Sequence, residues 1–161
     1  MSTQNGDAVW ERVRREVAET AQREPLLASF LHAVVLNHKT FEDALSYQLA
    51  SKLESHTITA VSMRDLIDEA LTQDGAIGKA ARADMVAVCE RDPACTQYST
   101  PLLYFKGYQV LQAYRIAHHF WKAGRQCLAS FIQNRVSEVF AVDIHPAARI
   151  GQSILMDHAT G

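Results

Sequence analysis

Apolar residues recur every three or four positions through most of this chain, and every six positions at its end. Val9, Val13, Val17 and Ala21 lie at helical spacing, with Arg12, Arg14, Arg15 and Glu16 between them. One face of that helix is therefore apolar and the other charged. Pro25 opens a second helix at its first position, where the missing N–H would have no partner anyway. Leu27, Phe30, Leu31, Val34 and Val35 give it a wide stripe. Thr40, with Asp43 three residues on, fits a capping pair ahead of Phe41, Leu45, Leu49 and Leu53. Ser62 with Asp65 repeats that start signal ahead of Leu66, Ile67, Ala70 and Leu71. The stretch "GAIGKAARADMVAVCER" reads as another helix, halted by Asp92-Pro93.

A second helical block starts at Thr100-Pro101, a cap followed by a good first position. Leu103, Gly107, Leu111, Tyr114 and Trp121 line one face of it. Gly107 costs about 1 kcal/mol there relative to Ala, so its expected use is the close approach of another helix. Gly124 separates this block from a last helix carrying Leu128, Phe131, Ile132, Val136 and Val139. The wide stripes are fit to bury against a neighbouring subunit as well as an internal core.

From Val142 the period changes. "IHPAAR", "IGQSIL" and "MDHATG" are three six-residue units led by Ile144, Ile150 and Met156. A hexapeptide beat is the signature of a left-handed parallel β-helix, whose coil takes about 18 residues. The expected fold is mainly α: a multi-helix N-terminal domain over residues 1–140, then about one β-helix coil over residues 141–161. One coil cannot bury its axial side chains alone, so this segment reads as the opening of a repeat domain.

Composition narrows the function classes. The chain has 161 residues, 48% of them hydrophobic and 21% charged, with a net charge of -2. That balance gives no broad basic face, and nucleic acid is not an expected partner. No apolar run approaches the roughly 20 residues that span a bilayer, and "MSTQNGDAVWERVRREV" has no signal-peptide core. Cys89, Cys95 and Cys127 are irregularly spaced. They read as reduced cytosolic thiols, buried or half-buried, with no metal site among them. No phosphate loop, CxxC pair, HExxH or serine elbow is present.

The candidate chemistry centres on His158. An imidazole, with an ordinary pKa of about 6.5, is the natural general base near neutral pH. It needs a carboxylate to fix its tautomer. Asp143 lies fifteen positions earlier, close to one coil length, and stacked rungs are about 4.8 Å apart. Asp157 is the immediate neighbour and projects differently. The alternative is that His145 and His158 are solvated corner residues. Asp92 is either a functional carboxylate or an ordinary stop signal before Pro93. His118 and His119 are adjacent on a helix, about 100° apart, and cannot chelate one ion together.

The segments "YSTPLLYFKGYQVLQAYRIAHHFW", "VDIHPAARIG" and "DHATG" resemble bacterial serine O-acetyltransferases. "EPLLASFLHAVVLNHKTFEDALSYQLASKL" resembles the helical domain of the same family, so the likeness runs from about Val9 to Gly161. The resemblance implies transfer of acetyl from acetyl-CoA, a co-substrate, to L-serine, with no tightly bound cofactor. It implies His158 as general base, Asp143 as its orienting carboxylate, and Asp92 and Asp157 as holders of the amino acid. It further implies L-cysteine as feedback inhibitor, a hexamer built as a pair of trimers, a cytoplasmic location, and docking to O-acetylserine sulfhydrylase through a C-terminal tail. The family's later coils, its CoA clefts and that tail are not in residues 1–161, so the isolated chain is expected to lack transferase activity. Two other readings stand beside it: a helical assembly module, or a hexapeptide acyltransferase with another hydroxyl acceptor.

Overall fold

Burial of the stripes against one another organises the helices. The computed structural model describes residues 6–160. Residues 1–5 and Gly161, on which the outer ends of the two expected domains fall, lie outside the described residues. The helices are α1 (Ala8–Arg23), α2 (Ala28–Leu31), α3 (Phe41–Leu53), α4 (Ala60–Gln73), α5 (Gly75–Arg91), α6 (Ser99–Tyr104), α7 (Lys106–Lys122) and α8 (Gln126–Phe140). A 3-10 turn at Pro25–Leu27 enters α2, and a π turn at His32–Leu36 leaves it. The most extensive packing joins α7 to α8 and α3 to α4. Phe41, Leu45, Leu49, Met63, Met85 and Phe120 are fully buried in the shared core. No helix among the described residues is long and apolar enough to cross a membrane.

Several starts and stops follow the local signals. Thr40 accepts a bond from the Asp43 N–H at 3.1 Å, Pro25 opens its turn, and α5 ends at Arg91 before Asp92-Pro93. Gly124 breaks the α7–α8 connection at φ +79°, a left-handed conformation that costs glycine little. Other expectations are corrected. The cap of α4 lies three residues before Ser62: it is Thr59, accepting from the Ser62 N–H at 3.1 Å. The block from Thr100 is two helices broken at Phe105. Its start has no local side-chain cap. The Glu16 carboxylate, on α1, accepts from the Tyr98 N–H at 3.2 Å and the Ser99 N–H at 3.1 Å. A distant carboxylate thus does the work assigned to Thr100.

Cys95 is buried and Cys89 half-buried, as expected, but Cys127 is exposed. Cys89 and Cys95 sulfurs lie 2.9 Å apart. Burial, with the Cys95 thiol beside it, pushes the Cys89 thiol up to about 12.

The β-helix coil expected over residues 141–161 is not seen as strands. Residues 142–160 run along the helical body with turns and bends but no ladder among the described residues. A β-helix rung pairs with rungs above and below it, and these residues amount to one rung. Its backbone groups must find other partners. Val142, Ile144 and Met156 pack against the helical core instead of a prism axis.

Candidate active site

The end segment is held by side chains of α5 and α7. His118, on α7, bonds through Nδ1 to the Pro146 carbonyl oxygen at 2.6 Å. The Tyr114 hydroxyl donates to the Ala148 carbonyl and accepts from the Ile150 N–H at 3.3 Å. Burial raises the Tyr114 hydroxyl above its ordinary range, so it remains a donor. Arg91, in the last turn of α5, donates to the Ser153 carbonyl at 2.7 Å. The Trp121 ring meets His145 edge-on at 4.8 Å between centroids.

Gly107 fixes where the segment crosses α7. A Cβ added there would overlap the Met156 carbonyl oxygen, lying 3.1 Å from its carbon and 3.4 Å from the Ala159 Cβ. The expected close approach is real, but what approaches is the end segment's backbone and not another helix. Two and three residues beyond Met156, His158 and Ala159 have φ of +49° and +55°. For non-glycine residues that left-handed conformation is sterically costly, and it persists only where surrounding contacts enforce it.

These constraints shape a cleft of about 360 Å³. Its walls come from the α5 exit (Asp92, Ala94), the α6–α7 junction (Tyr104 to Gly107) and the end segment (Leu155 to His158, with Thr160). Three of the four sequence candidates, Asp92, Asp157 and His158, meet there. Asp92 Oδ1 accepts from the Ala94 N–H at 2.9 Å, and its other oxygen has no hydrogen-bond partner among the described residues. His158 Nε2 lies 3.5 Å from Asp157 Oδ1, with the His158 side chain 87% exposed. Asp143 is elsewhere: its Oδ1 accepts from Gln133 Nε2 at 2.8 Å, and no hydrogen bond or ion pair joins it to His158. No group of three or more His, Cys, Asp or Glu among the described residues is arranged to hold a metal ion.

The cleft therefore presents two carboxylates and an imidazole around a small opening. That set suits a small substrate carrying an ammonium group and an acidic proton near a base. Lys106 and Tyr104 also line it and escaped the sequence reading. Lys106 reaches the Phe140 carbonyl at 3.4 Å, and the Tyr104 ring sits 6.2 Å from that of Phe30. Their signal was their place at the α6–α7 break, which periodicity alone runs through.

Known proteins give the same direction. The family described as "Serine acetyltransferase, N-terminal" matches residues 9–113. The serine acetyltransferase of Escherichia coli (strain K12) is 50% identical over 161 residues, covering 100% of this chain and 59% of that protein. A solved serine acetyltransferase in complex with CoA superposes with a TM-score of 0.94 at 48% identity, over 95% of this chain and 65% of that one. One in complex with cysteine gives 0.93 at 48%, over 95% and 64%. The chain thus spans less than two thirds of each of these three relatives. With the family match covering most of its helical body and half its residues shared with a curated relative, the chain belongs to the serine acetyltransferase family.

Proposed function

We propose that this chain is the front part of a serine O-acetyltransferase, which moves acetyl from acetyl-CoA to the hydroxyl of L-serine. The observation that carries the reading is the convergence of Asp92, Asp157 and His158 on one cleft, in a member of that family. His158 takes the serine hydroxyl proton as that oxygen attacks the thioester carbonyl. The C–O bond forms, the C–S bond breaks, and the imidazolium returns the proton to the CoA sulfur. Asp92 and Asp157 hold the ammonium group, as a buried cation needs a carboxylate. Asp143 orients the imidazole in the family's pattern; within the described residues Asp157 is the carboxylate nearest it.

The domain division belongs to the same reading: residues 1–140 as helical domain, and residues 141–161 as the first coil of a left-handed β-helix. So do feedback by L-cysteine, docking to O-acetylserine sulfhydrylase, and a cytoplasmic location. The test is CoA release by the full-length gene product given serine and acetyl-CoA. Asp92→Ala is expected to raise the KM for serine by about tenfold or more, the loss of one charge-assisted contact. An unchanged KM would remove the amino-acid role from Asp92.

A second role, self-association of the helical domain into a pair of trimers, is favoured by one observation. Leu26 is 98% exposed, and Leu27, Phe30 and Tyr104 are exposed with it, a group that burial against another copy would cover. Light scattering on residues 1–161 is expected to give a mass above one chain. A clean monomer would count against it.

A further inference from the structure

Asp84, Gln112 and Arg115 form the most deeply buried ionic group in the described chain. The Asp84 side chain is 0% exposed and that of Arg115 9%. Asp84 Oδ2 accepts from Arg115 Nη2 at 2.6 Å and from Gln112 Nε2 at 2.9 Å. Arg115 Nε donates to Gln112 Oε1 at 3.2 Å. Two further bonds leave the helices, and both land on the end segment. Asp84 Oδ1 accepts from the Ile154 N–H at 2.9 Å, and Arg115 Nη2 donates to the Gly151 carbonyl at 2.9 Å.

We infer that Asp84 and Arg115, locked together through Gln112, are positioning residues for the segment that carries Asp157 and His158. Burying a carboxylate and a guanidinium side by side gains little stability over apolar side chains of similar size. What an apolar trio could not supply is a donor and an acceptor for strandless backbone. Gly151 and Ile154 are that backbone, and they straddle Ser153, whose φ is +61°. Met156 rests on Gly107 two residues later, and His158 follows two residues after that. The ionic group fixes the upstream end of this short run, and Gly107 fixes its middle. The catalytic half of the inference rests on the acetyltransferase reading; the positional half does not.

The test is a triple variant, Asp84→Val/Gln112→Leu/Arg115→Met, which removes all three polar groups together and leaves no buried charge unpaired. Hydrogen exchange on residues 1–161 is expected to show the Ile154 amide opening about tenfold faster or more, as for one lost charge-assisted hydrogen bond. Core amides of α5 and α7 keep their protection. In the full-length gene product kcat is expected to fall by about tenfold or more, with helicity unchanged. Unchanged Ile154 exchange would overturn the clamp. Faster exchange with unchanged kcat would overturn its role in positioning the base. If the triple variant does not fold, Arg115→Lys replaces it. Lysine keeps a charge near Asp84, but its shorter stem withdraws the one nitrogen, Nη2, that reaches both Asp84 and Gly151, and it lacks the Nε that bonds Gln112, so faster exchange of the end-segment amides is expected here too. If the unmodified full-length protein transfers no acetyl group, the function reading falls, and exchange alone decides the clamp.

Discussion

A full-length protein carrying His158→Asn is expected to transfer acetyl to serine about 10²–10⁴ times more slowly than its parent. Asparagine is chosen for the backbone. His158 sits at φ +49°, and asparagine is among the few residues that adopt that region readily. The turn that carries the side chain therefore survives, and only the proton acceptor is lost. An asparagine amide bonds the serine hydroxyl but cannot take its proton. The loss should fall on kcat, with KM for acetyl-CoA nearly unchanged. A kcat within a few-fold of the parent's would show that His158 is not the base.

Gly107→Ala separates the site from the stability of the helical body. The new methyl group would overlap the Met156 carbonyl oxygen, which is backbone and cannot rotate aside. The segment from Leu155 to Ala159 must move. Helix α7 itself gains: alanine is better than glycine in a helix by up to about 1 kcal/mol. The melting temperature of residues 1–161 is expected to hold or rise. Transfer by the full-length variant is expected to fall by about 10²-fold, the effect of a displacement near 1 Å at a reacting group. Retained activity would mean that the base needs no fixed crossing of α7.

The contrast between these two residues shows what was legible in the chain. Gly107 was recognisable as a close-approach glycine because it stands on an otherwise well-formed helical face. Which element approaches was not recognisable, since nothing at positions 103–111 encodes the path of residue 156. His158 was singled out as the proposed base through the hexapeptide beat and the "DHATG" resemblance. Its carboxylate neighbours were harder. The fifteen-residue offset singled out Asp143, yet in the structure that side chain bonds Gln133. Asp92 looked like a helix stop, and it is one: α5 ends at Arg91. It also lines the cleft, because the α5 exit lies beside the α6–α7 junction.

Asp84 and Arg115 had a signal that passed unread. Asp84 stands with Ala80, Ala81 and Val88, which are buried on α5, and Arg115 follows Leu111 on α7. Charges at core-facing positions ask for partners. Finding those partners required the positions of Gly151 and Ile154, 36 and 70 residues away.

The sequence by itself determined the helical body, most of its breaks and the change of period at Val142. Each is set by contacts within a turn or two of chain: a 3.6-residue stripe, a cap, a proline, a glycine with positive φ. The tertiary structure alone decided that Glu16 caps α6, that the end segment lies on α5 and α7 without strands, and that Asp92 and His158 share a cleft. Those depend on groups tens of residues apart whose meeting is fixed by how the helices pack, and periodicity carries no record of which stripe meets which.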